Sequence, residues 1–336
     1  MSLILGLETS CDDTCAAVVT GDGELRSNVI SSQGVHDAFG GVVPEIASRH
    51  HLELVNAVVD DALRQAGASL DDIGLVAVTR GPGLVGALLV GVATAKAIAA
   101  ARGLALAPVD HLQGHVAANF LRLAGDAPAI MEPPFVCLLA SGGHTLLARV
   151  EAHATFAVLG RTLDDAAGEA FDKGARLLGL PFPGGPALER LAGDGDPRAF
   201  AFPIARKLDG LDLSFAGVKT SLLYRVRDMG EQAARERAAD LAASYQHAIV
   251  EALALRCEQA LEQTRLGRLA IGGGVAANGP LRARLERLGV TLGIPPRELC
   301  TDNAAMIASA ARFVEARPFP AYLALDAYAS GERALA

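Results

Sequence analysis

The sequence predicts an α/β protein built as two similar lobes with a ligand cleft between them. Three observations carry that expectation. The chain has 336 residues, about two domains at roughly 150 residues each. The order strand, strand, strand, helix, strand, helix runs once before residue 110 and begins again after Pro134. In each copy a strand leads directly into a glycine-rich turn, at Gly81-Pro82-Gly83 and at Gly272-Gly273-Gly274. Identity between the halves is low, so the repeat rests on element order and glycine placement.

The elements follow from local pattern. The apolar runs Leu3–Leu7 and Cys15–Thr20, separated by the polar Cys11–Thr14, read as a β-hairpin with a polar tip. A strand at Leu25–Ser31, a helix at Glu45–Gln65, a strand at Leu75–Thr79, an Ala-rich helix over 84–101 and a strand at Leu104–Val109 complete the first copy. Gly81–Ala101 is the longest apolar stretch, but Lys96 interrupts it and Gly-Pro-Gly opens it, so a buried helix is expected and not a membrane span. A continuous helix over His111–Leu121 is expected to cross between the lobes. The second copy reads as strand Phe135–Ala140, tip Ser141-Gly142-Gly143, strands His144–Val150 and Thr155–Leu159, helices Asp165–Leu178 and Ala238–Gln263, strand Leu269–Ile271 and a helix from Gly279. Pro181–Pro186 and Pro203–Asp212 read as inserted loops.

Composition narrows the function. With 51% hydrophobic and 20% charged residues the chain can bury a sizeable core, which excludes a disordered polymer. A net charge of -8 excludes a protein that coats nucleic acid with uniform positive surface. The acid excess lies in residues 1–110, with 13 acidic and 6 basic side chains, against 25 and 24 in the remainder. A polyanion is therefore expected to meet the later part, where Arg225, Arg227, Arg235, Arg237, Arg265, Arg268, Arg282, Arg284 and Arg287 recur; the alternative is solvated helix faces. Five scattered cysteines and no signal peptide predict a reducing, cytoplasmic location.

Three patterns carry chemistry. His111 and His115 stand at i and i+4, on one helix face within reach of a single ion, with Asp110 placed to cap that helix. Leu112 stands where an H-E-x-x-H protease has its glutamate, which disfavours zinc-protease chemistry. A third ligand is required, and Asp302 is the best oxygen donor; its other reading is the N-cap of a helix over Asn303–Glu315. The turns at Gly81, Ser141-Gly142-Gly143 and Gly272 let backbone N–H groups approach a phosphate, or serve close packing. Asp165, Glu169 and Asp172 share one helix face, where like charges repel unless something neutralises them; Lys173 and Lys219, two of only four lysines, fall in polar clusters.

Taken together, several segments resemble the tRNA threonylcarbamoyladenosine transferases (TsaD, formerly described as O-sialoglycoprotein endopeptidases), which have the actin/Hsp70-like fold. They are Gly6-Leu-Glu-Thr-Ser-Cys-Asp-Asp-Thr14, Gly40-Gly-Val-Val-Pro-Glu-Ile-Ala-Ser-Arg49, Gly81-Pro-Gly-Leu-Val-Gly86, His111 to His115, Ser141-Gly-Gly-His-Thr145, Asp164 to Lys173, Pro183-Gly-Gly-Pro186, Ser214 to Thr220, Gly272 to Asn278 and Thr301-Asp-Asn303. They span residues 6 to about 310 in the family's order. Ala276-Ala277 replaces the commoner Ser-Ala, and the tail Leu323–Ala336 lacks the Trp-Pro-Leu ending of bacterial relatives.

The resemblance implies transfer of a threonylcarbamoyl group from threonylcarbamoyl-adenylate to N6 of adenosine-37 in tRNAs reading ANN codons, with release of AMP. It implies that His111, His115 and Asp302 hold one divalent metal ion, Fe2+ or Zn2+, and that Leu139, Ala140, Ser141, Gly142, Gly143, Asp172, Gly185 and Asn278 bind the adenylate. Asp12 and Asp13, at the first hairpin tip, are candidate proton acceptors. The expected partners are tRNA, a smaller paralogous subunit (TsaB-like) and a P-loop ATPase (TsaE-like), and no membrane. The expected domains are an N-terminal lobe over 1–110, completed by the tail at about 320–336, and a C-terminal lobe over 111–319 carrying most of the metal and adenylate site. The alternatives are an ATPase or sugar kinase of the same fold, and a non-catalytic scaffold subunit.

Overall fold

The computed structural model describes residues 2–39, 41–123, 131–206 and 208–329. Gly40 of the 40–49 motif and the tail from 330 onward lie outside the described residues. In chain order the strands are β1 (Leu3–Glu8), β2 (Asp13–Thr20), β3 (Leu25–Ser32), β4 (Ile73–Gly81), β5 (Ala105–Asp110), β6 (Phe135–Ala140), β7 (Thr145–Ala152), β8 (Thr155–Arg161), β9 (Arg268–Gly272) and β10 (Thr291–Gly293). The helices are α1 (Pro44–Ala66), α2 (Val85–Arg102), α3 (His111–Ala117), α4 (Ala167–Leu177), α5 (Gly184–Ala192), α6 (Ala216–Met229), α7 (Glu231–Glu236), α8 (Ala238–Thr264), α9 (Gly279–Glu286) and α10 (Ala304–Ala310).

The chain divides into two compact units, Met1–Glu132 with Ala152–Thr155 and Asp302–Ala336, and Pro133–Glu151 with Phe156–Thr301. In the first, one sheet runs β3-β2-β1-β4-β5. The β1–β2 and β2–β3 pairs are antiparallel, and β1–β4 and β4–β5 are parallel. Strand β1 is central, its Leu7 opposite Ala16 of β2 and Val78 of β4. Both of its faces are covered, which is why Leu-Ile-Leu-Gly-Leu is apolar without alternation. Leu5, Leu7, Val18, Val76 and Leu106 join Val58 and Val59 of α1 and Val92 of α2 in one core. Helix α10 packs on β1 and β2. A Cβ at Gly6 would lie 2.9 Å from the Ala308 nitrogen, so glycine is what lets the helix seat.

The second unit repeats the plan. Its sheet runs β10-β9-β6-β7-β8, so β6 to β10 occupy the places of β1 to β5. Buried Val136, Leu138, Leu147, Leu269 and Ile271 pack with Leu241, Tyr245 and Ile249 of the long helix α8. The expected α/β class, with two units of one plan, is thus observed, and the sheets add that their strand orders match.

Several details differ. The unit boundaries fall after residues 132 and 301, not 110 and 319, so His111, His115 and Asp302 all belong to the first unit. The reason is packing: every residue of α3 is buried, and the helix lies against α10 and β5. Helix α3 stops at Ala117 and a single 3-10 turn, Ala118–Phe120, follows, so no continuous helix runs to Leu121. The proline-rich stretch at 181–186 contains the start of α5, with Pro186 in its first turn. Helices α6 and α7 and strand β10 carry no strong apolar period and were not anticipated. Helix α10 ends at Ala310, short of Glu315.

Among the described residues one helix, Val85–Arg102, is long and apolar enough to cross a membrane by length and composition alone. Here its Ala87, Leu88, Gly91, Val92, Ala95 and Ala99 form a buried face, and it packs on β4 and α1. Val85 and Leu89 stay exposed, so the expected buried helix is half-buried.

Candidate metal centre and substrate site

The short helix α3 is a rigid carrier. Asp110 Oδ1 accepts hydrogen bonds from Leu112 N (2.8 Å) and Gln113 N (3.1 Å), the expected N-cap, and its other oxygen accepts the Tyr328 hydroxyl. The cap fixes the first turn, and with it the two imidazoles, whose centroids stand 4.7 Å apart at 79°. Asp302 enters from the start of α10. The cap of α10 is Asn303, whose Oδ1 accepts from Met306 N at 2.9 Å, so Asp302 is not the N-cap. Its Oδ1 lies 3.5 Å from His111 Nε2 and 3.3 Å from His115 Nε2.

One ligand atom from each of the three residues falls within 4.8 Å of the others, the spacing of a set that can close on one ion. His115 is 1% exposed, yet neither of its nitrogens has a hydrogen-bond partner among the described residues. A buried imidazole left unsatisfied is costly, and a cation facing Nε2 removes that cost. Two nitrogens and one carboxylate oxygen suit Zn2+ or Fe2+. The residues therefore fit a divalent metal. Burial opposes charge on His111, but the neighbouring Asp302 and Glu8 carboxylates outweigh it and push its pKa up to about 9. The same negative field attracts a metal ion.

Three residues around this triplet were not anticipated. Glu8, at the end of β1, is fully buried and lies 3.0 Å from His111 Nδ1. Thr79 of β4 donates to Glu8 Oε2 (2.6 Å), and Ser10 Oγ lies 3.2 Å from His111 Nδ1. The available signal was a carboxylate closing an otherwise apolar strand.

Asp12 and Asp13 occupy the tip of the first hairpin. Buried His51 of α1 clamps that tip, with Nε2 2.9 Å from Cys11 O and Nδ1 2.8 Å from Thr14 Oγ1. Gln33 N donates to Asp12 O at 3.1 Å. Burial, then the Asp302, Asp12 and Glu8 charges, push the Asp13 carboxyl up to about 7 against a lowering hydrogen bond from Ser32. A carboxylate poised near neutrality is suited to accept a proton.

In the second unit, Leu139 and Ala140 end the buried strand β6, and the tip Ser141-Gly142-Gly143 is closed by Ser141 N to His144 O (2.8 Å). Helix α4 supports the tip: Gly168 N donates to Ser141 O (3.1 Å), and a Cβ at Gly168 would come 2.6 Å from that oxygen. Gly142 and Gly143 have open space where a side chain would stand. One turn along α4, Asp172 Oδ1 accepts from Gly184 N (2.8 Å) and Gly185 N (3.2 Å), tying the start of α5 to α4. Burial raises the Asp172 carboxyl pKa despite those bonds. Asn278 caps α9 through Leu281 N (3.0 Å) and donates to Glu189 of α5 (3.0 Å) and Gln246 of α8 (2.9 Å). Contacts thus link the tip, Asp172, Gly185 and Asn278 in one continuous series. Both amide hydrogens of Asn278 are engaged, so the open donors of this cluster are backbone groups.

The expected acidic face is neutralised. Asp165 precedes α4 and meets Lys173 (2.7 Å) and Lys219 (2.5 Å), and Glu169 meets Lys173 (2.8 Å). Most of the arginines expected to meet a polyanion are also engaged: Arg227, Arg235, Arg237 and Arg284 pair with carboxylates, and Arg282 binds backbone oxygens. Arg225 lies over the Phe200 ring, 5.7 Å from its centroid.

Comparison with known proteins places the whole chain. Residues 24–309 match the family model for tRNA N6-adenosine threonylcarbamoyltransferase. The protein of that name from Moorella thermoacetica is 50% identical over 333 residues, covering 96% of this chain and 95% of that one. The one from Symbiobacterium thermophilum is 51% identical over 321 residues, covering 93% and 91%. Among solved structures, the (R)-2-hydroxyglutaryl-CoA dehydratase component A of Acidaminococcus fermentans has a TM-score of 0.55 at 14% identity, covering 94% of this chain and 98% of that one. HypF of T. kodakarensis has a TM-score of 0.58 at 15% identity, covering 92% and 47%. At such identities the likeness concerns the fold alone, and it is that of the actin/Hsp70-like proteins.

Proposed function

The chain belongs to the tRNA N6-adenosine threonylcarbamoyltransferase family, and from that premise we propose that it moves a threonylcarbamoyl group from threonylcarbamoyl-adenylate to N6 of adenosine-37 in tRNAs reading ANN codons. The observation that carries the chemistry is the triplet of buried His111 and His115 with half-buried Asp302, together with the His115 nitrogens that have no hydrogen-bond partner among the described residues. A nucleotide-hydrolysing or sugar-phosphorylating protein of the same fold has no need of this triplet, and a scaffold subunit has no reason to keep it.

In the proposed reaction the N6 amine attacks the carbamoyl carbonyl carbon, a C–N bond forms, and the bond from that carbon to the phosphate oxygen breaks. AMP leaves with the electron pair. The amine is a poor nucleophile, so orientation and charge placement supply most of the acceleration. His111, His115 and Asp302 would hold one Fe2+ or Zn2+. When bound, such an ion supplies a Lewis acid for a carbonyl and an anchor for the threonyl oxygens. Asp13, with Asp12 beside it, accepts the amine proton. The open backbone at Gly142 and Gly143 stabilises the departing phosphate, and Asp172, Gly185 and Asn278 shape the nucleotide subsite.

The proposed partners are tRNA, a smaller paralogous subunit of TsaB type and a P-loop ATPase of TsaE type. Leu52 of α1 is 68% exposed and Leu89 of α2 45%, and these exposed apolar side chains in the first unit support docking of the paralogue there. Unchanged monomeric size on mixing with the paralogue would refute that docking. The tRNA substrate and five unpaired thiols support a cytoplasmic setting. The test of function is reconstitution with threonylcarbamoyl-adenylate, tRNA and the partner proteins, followed by mass spectrometry of nucleosides. The modified adenosine is expected with the wild type, and undiminished product from His111→Ala/His115→Ala would overturn the metal mechanism.

A further inference from the structure

We propose that Glu8 is a positioning residue: its buried carboxylate keeps the imidazole hydrogen of His111 on Nδ1, so that Nε2 presents its lone pair toward Asp302. This rests on the reading that His111, His115 and Asp302 take a divalent cation.

The argument is a count of donors and acceptors. Glu8 is 0% exposed at the end of β1, and three groups converge on it. Ser10 N donates to Oε1 at 2.5 Å and the Thr79 hydroxyl donates to Oε2 at 2.6 Å. His111 Nδ1 lies 3.0 Å from Oε2. A carboxylate only accepts, so the close approach of Nδ1 requires the hydrogen to lie between them. Without it, two lone pairs would face each other inside a site shielded from water. The Ser10 hydroxyl, 3.2 Å from the same nitrogen, then acts as a second acceptor or turns away. Once neutral, the imidazole carries one N–H and keeps it on the closer contact, 3.0 Å to Glu8 against 3.5 Å to Asp302 Oδ1, so Nε2 is the nitrogen that gives up its hydrogen and becomes the lone-pair site.

The second histidine has no such partner, since neither nitrogen of His115 has a hydrogen-bond partner among the described residues. The two ligands are therefore unequal. His111 is set in ring orientation, with Nδ1 committed to Glu8, before any ion arrives, whereas His115 is held by packing and by the Asp302 carboxylate in front of Nε2, with no partner behind Nδ1 among the described residues. A hydrogen-bonded carboxylate behind a ligating imidazole typically raises metal affinity by about 10–100-fold. Such a role accounts for a fully buried carboxylate at the end of an apolar strand, a placement that folding by itself disfavours.

The test is Glu8→Gln, which keeps the shape and replaces one acceptor oxygen by a donor. The new NH2 must face either Ser10 N–H, donor against donor, or the Thr79 and His111 side; in the second case it donates to Nδ1 and drives the ring hydrogen to Nε2. Two readouts are taken on the full chain without tRNA. Long-range 1H–15N NMR at pH 10, where the metal-free imidazole has lost its second hydrogen, reads the His111 tautomer, with the resonance assigned by its loss in His111→Asn. Titration with Zn2+ against a chromophoric chelator reads affinity. Expected are an Nδ1–H tautomer in the wild type and, in Glu8→Gln, a shift of that tautomer with about 10–100-fold weaker Zn2+ binding. An Nε2–H tautomer in the wild type, or a folded Glu8→Gln chain with unchanged Zn2+ affinity, overturns the proposal. If the variant fails to fold, the wild-type tautomer still decides. A wild type that binds no Zn2+ or Fe2+ sinks the metal reading, while the tautomer measurement continues to test Glu8.

Discussion

Two carboxylates show how environment divides one chemistry into two roles. Asp13 is pushed up to about 7 from 3.8, first by burial and then by Asp302, Asp12 and Glu8. The native state therefore holds a proton that the unfolded chain has lost, so stability falls as pH rises from about 4 through 7. Asp13→Asn should flatten that fall and melt at higher temperature than the wild type at pH 8, with no such gain at pH 4. The same substitution should remove the rise of transfer rate through pH 7, because the acceptor must be ionised to take the amine proton. Equal melting temperatures at pH 8 and an intact rate profile would exclude the assignment. Asp165 behaves oppositely. Burial raises its pKa, but hydrogen bonds from Lys173 and Lys219 outweigh burial and lower it below 3.8. Its stabilisation is full above pH 3.8 and is lost as pH falls below that value toward the native pKa. Lys219→Met should cost about 1 kcal/mol at pH 7 by urea denaturation, and the deficit should shrink toward pH 3.

At the scale of elements, the Ser141-Gly142-Gly143 tip is held by its neighbour and not by its own sequence. Gly142 and Gly143 are open, whereas Gly168 of α4 presses on Ser141 and Gly142, where a Cβ would stand 2.6 and 2.8 Å from the nearest atoms. Gly168→Ala should therefore displace the tip while the open glycines tolerate alanine sterically. AMP affinity measured by calorimetry should fall at least tenfold for Gly168→Ala and less for Gly143→Ala; the reverse order would show that the tip shapes itself. Helix periodicity did not reveal α4's real length either. Asp165 was expected inside the helix, but it precedes Ala167 and serves as the counter-ion of two lysines, so the apparent like-charge face never forms.

For the whole molecule, the two units carry the charge asymmetry more sharply than the two ends of the chain. Over the unit boundaries the first has 10 basic and 19 acidic side chains and the second 20 and 19. The first, at -9, is suited to protein partners, and the nearly neutral second offers less repulsion to a polyanion. The units also differ in chain economy. The second is almost continuous in sequence, while the first needs α10, which arrives from beyond residue 301 to cover β1 and β2. A fragment of residues 133–301 should accordingly unfold cooperatively by circular dichroism, and a fragment of residues 1–132 should not. Cooperative melting of the shorter N-terminal piece would show that α10 is dispensable to that core.

The sequence by itself determined the repeat, the glycine turns and the pairing of His111 with His115, because each is a matter of spacing along one strand, turn or helix. It also supplied Asp302 as a candidate, but with a capping role equally open. Only the tertiary structure decided between them, by giving the cap to Asn303 and turning Asp302 toward the two imidazoles. The partners of Glu8, Thr79 and His51 were not legible for the same reason, although a carboxylate closing the apolar strand Leu3–Glu8 marks Glu8 as unusual. Each acts on a partner 37 to 103 residues away, and such meetings depend on which strands lie side by side and which helix closes the sheet. Local periodicity encodes the faces of elements; the neighbours those faces meet are chosen by burial of the whole core.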